Sequence, residues 1–165
     1  DIVKAHQRNC IHQTGIVCIK GDNVITHYHN IDSATFFTAD GYLKTGDIAS
    51  MNEQGAIKIY DRKKDMMIVS GFNVYPNEVE NIIEGHPKVS ECSVVGIDDK
   101  LQGQSVKAYV VKSDDSLSEH DIKALCQANL AAYKCPRHIE LIDELPKSAV
   151  GKILRHKLRK LAQGA

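Results

Sequence analysis

Between Gly15 and Lys20 the chain is almost wholly apolar, with Ile16 and Cys18 alternating against Val17 and Ile19, the short period of a strand. Two more β runs, Ile48 to Met51 and Ala56 to Tyr60, flank Asn52-Glu53-Gln54-Gly55, a hairpin turn in which Gly55 is free to take positive φ. Residues 1 to about 14 are polar and unpatterned, and Ile31 to Phe37 reads as a brief helical or turn segment. The period changes beyond the charge cluster Asp61 to Asp65. Short strands at Met66 to Val69 and Phe72 to Val74 lie either side of Ser70-Gly71, and Pro76 opens a helix at a position where its missing N–H costs nothing. Val79, Ile82 and Ile83 share one face of that helix, which Gly85 ends. Val89 to Ile97 and Ser105 to Lys112 predict longer strands. Ser118, three residues ahead of Asp121, has the spacing of a helix-start box, with Ile122, Leu125 and Cys126 as the apolar stripe. A strand at Ile139 to Ile142 and a last short helix carrying Leu154, Leu158 and Leu161 complete an α+β pattern.

Composition sets limits on this picture. A chain of 165 residues, 42% hydrophobic and 25% charged, suffices for one domain or for a small domain plus a piece of another. Basic and acidic groups balance at 21 each, so no net field draws nucleic acid or membrane, and the absence of Trp argues against stacking platforms for single strands. Five cysteines (Cys10, Cys18, Cys92, Cys126, Cys135) without a Cys-x-x-Cys pair fit reduced thiols better than disulfides or zinc. No apolar run approaches the roughly 20 residues of a membrane span and no signal-peptide pattern opens the chain, so a cytoplasmic protein is expected. His6, Cys10, His12 and the His27-Tyr28-His29 group have metal-binding side chains but form no four-ligand set, and are expected at the surface.

Four places could carry chemistry. In Thr45-Gly46-Asp47, the glycine lets the backbone turn tightly beside a carboxylate able to accept from both hydroxyls of a ribose; alone, the tripeptide is simply a good turn. Asp61 to Asp65 has no apolar member and makes a natural joint between packed units; Arg62 within it is, by itself, one more solvated charge, while the long polar side chain of Lys64 tolerates two backbone conformations. Ser70-Gly71 marks a strand break or a place where a ligand can slide past the backbone. Finally, Pro146 to Lys160 holds Lys147, Lys152, Arg155, Lys157, Arg159 and Lys160 with no acid, which on composition alone is a solvated basic patch. Lys152, preceded by Gly151 and a flexible polar loop, could be carried into and out of a site; without a Ser or Thr after it, this is no Walker A loop.

In order and spacing, Tyr42-Leu43-Lys44-Thr45-Gly46-Asp47, Asp61-Arg62-Lys63-Lys64-Asp65 and Pro146-Lys147-Ser148-Ala149-Val150-Gly151-Lys152-Ile153 resemble the C-terminal part of the adenylate-forming enzymes: acyl-CoA synthetases, adenylation domains of peptide synthetases, and luciferases. Leu130-Ala131-Ala132-Tyr133-Lys134-Cys135-Pro136 resembles the stretch that leads to the family's catalytic lysine, and Ser70-Gly71-Phe72-Asn73-Val74-Tyr75-Pro76-Asn77-Glu78 is most similar to long-chain fatty acid–CoA ligases. The likeness covers most of residues 15 to 160 and is strong from Tyr42 onward. It departs at Ile16, where a glutamate often follows the glycine, and at His27-Tyr28, in place of Gly-Tyr.

The resemblance implies roles. Lys152 would be the catalytic lysine, Asp47 would grip the ATP ribose with Arg62 beside it, Lys64 would be the hinge, and Ser70-Gly71 would line the path of the CoA pantetheine arm. Residues 1–61 would then be the C-terminal edge of a larger N-terminal domain, 62–64 the hinge, and 65–165 a mobile C-terminal domain built on a small mixed or antiparallel sheet flanked by helices. A fatty acid would be the substrate. ATP, CoA and Mg²⁺ would be bound mainly by the N-terminal domain of the same polypeptide, which carries the phosphate loop and acyl pocket, so the fragment alone is expected to form no acyl-adenylate. The basic tail could help such an enzyme dwell peripherally at the inner membrane face, and no nucleic-acid partner is expected. A medium-chain or aryl-CoA ligase, and a stand-alone binding module derived from this domain, remain alternatives; salt-dependent binding to a membrane or nucleic acid through the basic tail ranks last.

Overall fold

The computed structural model describes residues 14–29 and 33–163; His6, Cys10 and His12 lie outside them. The chain forms two compact units, Asp1–Lys64 and Asp65–Ala165.

The first unit is a three-stranded antiparallel sheet in the order β1 (Gly15–Ile19), β2 (Leu43–Met51), β3 (Ile57–Arg62), with a 3-10 turn at Ser33–Phe36. The predicted hairpin joins β2 to β3: Asn52 Oδ1 accepts from the N–H groups of Gln54 and Ala56, and Gly55 takes φ +79°. Strand β2 begins five residues earlier than the apolar pattern predicts, because Thr45-Gly46-Asp47 lies within the ladder and not in a turn ahead of it. Gly46 holds φ +80°, a backbone state open to glycine, and the β2–β3 register shifts between Ile48 and Ala49.

The second unit runs β4 (Met67–Val69), β5 (Phe72–Val74), α1 (Pro76–Glu84), β6 (Val89–Asp99), β7 (Gly103–Lys112), α2 (Glu119–Asn129), β8 (His138–Ile142) and α3 (Arg155–Gln163). Its sheet has the order β5-β4-β7-β6, all antiparallel, with β8 added parallel to β7. The fold is therefore α+β on a mixed sheet. Alternate residues of the central ribbon feed two cores. Cys92, Val94, Val106, Ala108 and Val110 face Val79 and Ile83 of α1 and Ile122 and Cys126 of α2. Val95 and Tyr109 face Leu158 of α3 and Leu145 of the loop that follows β8. Covering on both faces explains why β6 is apolar without a break from Val94 to Val95.

Pro76 stands at the start of α1, and Ser118 with Asp121 closes a reciprocal capping box on α2. Gly85 ends α1 at φ −65°, so it stops the helix without the left-handed turn its type suggests. The leucine stripe predicted for the last helix is not what packs: Leu158 is buried, Leu161 is 61% exposed, and Leu154 precedes the helix. The inward face of α3 instead carries Arg155 and Arg159, which reach the buried carboxylates of Glu80 and Asp65.

Candidate functional site

Asp47 and Arg62 stand opposite each other in the β2–β3 ladder. Arg62 Nε lies 3.1 Å from Asp47 Oδ1, with the two side chains 53% and 26% exposed. The Asp47 N–H donates to Thr45 Oγ1 (3.1 Å), whose hydroxyl donates in turn to the Val17 carbonyl (3.1 Å). The next residue, Lys63, donates its N–H to the Gly46 carbonyl at 2.8 Å, so the two motifs are knitted together through the backbone. Below them Asp61 is 2% exposed and accepts from the Arg62 N–H at 2.7 Å. Lys64, exposed in the turn that follows, is the last residue of the first unit.

Ser70 and Gly71 form the two-residue turn of the β4–β5 hairpin, at φ +51° and +83°. Both signs are those of the twisted turn that such hairpins favour. Gly71 is exposed, and an added Cβ would meet nothing within 4 Å, so a passing ligand would find bare backbone there. The turn is braced from behind. The Ser70 N–H donates to the Gln102 carbonyl at 2.9 Å, and the Gln102 amide oxygen, turned toward Arg137, accepts from its guanidinium. Asp99 Oδ1 accepts from the N–H groups of Leu101 (2.8 Å) and Gln102 (3.0 Å); these bonds, aided by Arg137, hold the Asp99 carboxyl below the usual carboxylate range. Phe72 stacks on Tyr133 with centroids 4.8 Å apart, and Lys134 donates to both oxygens of Glu78 at 2.6 and 2.8 Å. Beside this turn a cavity of about 200 Å³ is lined by Val69, Gln102, Ser105, Tyr133 and Arg137 among others. The Ser105 hydroxyl there is buried without a hydrogen-bond partner. Sequence reasoning found the turn but missed Gln102, Ser105 and Arg137, which carry no local signal. Burial pushes the Cys126 thiol up to about 11 and that of Cys92 higher still, so neither is a nucleophile.

Lys152 sits on a closed turn, in contrast to the flexible loop its sequence suggests. Ser148 N–H donates to the Lys152 carbonyl (2.8 Å), Gly151 N–H to the Ser148 carbonyl (2.9 Å), and Lys152 N–H to Ser148 Oγ (3.1 Å); Gly151 takes φ +79°. An antiparallel bridge pairs Lys147 with Ile153, and Leu154 N–H reaches the Pro146 carbonyl. Lys152 itself is exposed, and among the described residues its ammonium has no partner. The turn's foot is fixed to β6, where Lys147 pairs with Glu91.

Within the second unit these two turns sit at opposite ends of the central ribbon. Glu91 of β6 faces Val111 of β7, whereas Val69, next to the Ser70-Gly71 turn, faces Gly103. Gly103 to Val111 along one strand spans on the order of 25 Å. Among the described residues there is no group of three or more His, Cys, Asp or Glu that could hold a metal ion. No helix of the described residues is long and apolar enough to cross a membrane.

Comparison with known proteins places this geometry. Residues 78–152 match the AMP-binding enzyme C-terminal domain, a match that ends on Lys152. The ATP-bound structure of MatB from Rhodopseudomonas palustris superposes with TM-score 0.87 at 31% identity, over 93% of this chain and 31% of that one. The o-succinylbenzoate CoA synthetase of Bacillus subtilis, in complex with its acyl-adenylate intermediate, gives 0.85 at 35% identity over 96% of this chain and 33% of that one. The chain belongs to the adenylate-forming acyl-CoA ligases, as their C-terminal portion. Among curated relatives it is similar to the long-chain-fatty-acid–CoA ligase of Escherichia coli O6:H1, 49% identical over 153 residues. That alignment takes in 92% of this chain and 27% of the relative, so the chain spans about a quarter of the enzymes it matches. A 2-succinylbenzoate–CoA ligase of Bacillus cereus is 41% identical over 90% of the chain.

Proposed function

We propose that this chain is the C-terminal part of a long-chain fatty acid–CoA ligase and serves its two half-reactions with two different ends. In the first, a fatty-acid carboxylate attacks the α-phosphate of ATP, giving acyl-AMP and pyrophosphate. Two anions must approach, and the ammonium of Lys152, exposed and without a partner among the described residues, could bridge them and stabilise the charge in transit. Asp47 takes the ribose hydroxyls, held in place by Arg62, its ladder partner. In the second half-reaction the CoA thiolate attacks the acyl carbonyl and AMP leaves. The Ser70-Gly71 turn then borders the pantetheine arm, and Arg137 beside the neighbouring cavity offers a cation toward the phosphates at CoA's other end. Magnesium would be held mainly by the N-terminal domain and the nucleotide phosphates, where it would supply charge neutralisation.

The observation that carries this reading is the separation of the two turns along the β6–β7 ribbon. One site cannot use both at once, so the unit that begins at Asp65 must turn about Lys64 between half-reactions. Residues 1–64 then belong to the edge of the N-terminal domain, and the isolated chain is expected to form no acyl-AMP. The long-chain assignment rests on the identity to the Escherichia coli relative. The test is a chimera joining residues 14–163 to the rest of that relative. It should make long-chain acyl-CoA from ATP and CoA, while the isolated chain should release no pyrophosphate; an inactive, folded chimera would contradict the proposal.

A further inference from the structure

Arg155 lies three residues beyond Lys152, at the first position of α3, and its guanidinium is held from two directions. Nη2 donates to Glu80 Oε2 (2.6 Å) and Asn77 Oδ1 (3.0 Å), both on α1. Nη1 lies 3.8 Å from Asp65 Oδ2, and Arg159, one turn further along α3, reaches Asp65 Oδ1 at 2.5 Å. The other oxygen of Glu80 accepts from the Val94 N–H at 2.7 Å and the Ser93 hydroxyl at 3.4 Å, so the carboxylate is fixed on the sheet side as well. Asp65 and Glu80 are only 7% and 8% exposed.

Buried ion pairs of this kind are a costly way to gain stability, since apolar residues of similar volume often do as well. What an apolar substitute would lack is direction. The forked guanidinium sets both the distance and the angle between α3, α1 and the residue that follows Lys64. The opposite foot of the lysine turn is tied to β6 through Lys147 and Glu91, so the turn is held on both sides while Lys152 stays free.

We infer that Arg155 is a positioning residue for the adenylation half-reaction: it ties the foot of the Lys152 turn to α1 and to Asp65, the first residue after the hinge position. Rotation at Lys64 is thereby passed to the lysine as a rigid-body movement. A loose basic tail would let the ammonium wander, and displacement of about 1 Å costs roughly 10²-fold in rate. The inference rests on the assignment of Lys152 made above.

The test uses the full-length chimera, measuring adenylation (fatty-acid-dependent pyrophosphate release) and thioester formation from supplied acyl-AMP separately. Arg155→Met keeps most of the side-chain volume and removes the fork. It should lower kcat for adenylation about 10- to 100-fold with the KM for ATP within about twofold, and leave the thioester step near the unsubstituted rate. Arg155→Lys should restore part of the loss, and Asn77→Ala should show a smaller loss of the same selective kind. Unchanged adenylation in Arg155→Met, or an equal fall in both half-reactions, would overturn the inference. Should Arg155→Met fail to fold, Arg155→Lys decides by the same criterion: a selective loss of adenylation supports the role and an equal or absent loss refutes it. Lys152→Ala, run alongside, separates the two claims, because an active Lys152→Ala enzyme removes the underlying assignment whatever Arg155 does.

Discussion

Arg62 Nε lies 3.1 Å from Asp47 Oδ1 across a directly opposed pair of the β2–β3 ladder, although the two residues are fifteen positions apart and belong to separate motifs. The register brings them together: Gly46 at φ +80° lets β2 bend just before Asp47, and the Lys63 N–H on the Gly46 carbonyl locks the bend to the end of β3. One oxygen of Asp47 is thus oriented by a cation.

An ion pair this exposed contributes about 1 kcal/mol or less to stability, and the role proposed for it is ribose recognition. Asp47→Ala in the chimera should raise the KM for ATP about 10- to 100-fold, the loss expected for one or two hydrogen bonds to a charged acceptor, with the melting temperature almost unmoved. Steady-state kinetics at varied ATP, with a thermal melt, check both halves of the statement.

The hinge proposed at Lys64 makes the opposite demand. Lys64 is exposed in a turn and its proposed role requires two backbone states, so Lys64→Pro, which fixes φ near −65°, should block one of them. Adenylation should survive within a few-fold, while thioester formation falls at least about tenfold. A single-turnover assay of each half-reaction distinguishes this from a general loss.

Gly71 at φ +83° has open space around a hypothetical Cβ. Gly71→Val therefore acts through backbone strain, about 1–3 kcal/mol for a β-branched residue in that state, and through obstruction of the ligand path. Adenylation is expected to persist and CoA-dependent turnover to drop, with a raised KM for CoA; an unchanged CoA profile would remove the turn from the site.

Acid should loosen the brace behind that turn. The Asp99 carboxyl sits below its ordinary value, chiefly through the Leu101 and Gln102 N–H groups, so its stabilising contribution is full above the unfolded pKa near 3.9. It fades as the pH falls through the lower folded value. Stability measured from pH 6 to pH 2 should decline less steeply for Asp99→Asn than for the unsubstituted chain, the two curves converging at the acid end.

Much of this architecture was legible in the residues. Local rules placed the Asn52–Gly55 hairpin, the Pro76 helix start and the Ser118–Asp121 box, because each depends on neighbours within four positions. The motif resemblance indicated Asp47, Arg62, Ser70-Gly71 and Lys152 as places to look. Three features escaped. Strand β2 extends through Thr45-Gly46-Asp47, where polar residues interrupt the apolar pattern but the backbone ladder does not need them to be apolar. The buried face of α3 is partly ionic, and its pairs join residues 75 and 94 positions apart, so no helical period announces them. Gln102 and Arg137 brace the glycine turn through sheet packing, which leaves no trace in either residue's own neighbourhood.

The central claim is that one unit serves two half-reactions with two turns, and Lys152→Ala in the chimera tests it most directly. Adenylation should fall by about 10²–10³ or more, as expected for removing a charge that stabilises the transition state, while thioester formation from supplied acyl-AMP continues at close to the unsubstituted rate. Equal loss in both half-reactions, or none in the first, would contradict the account.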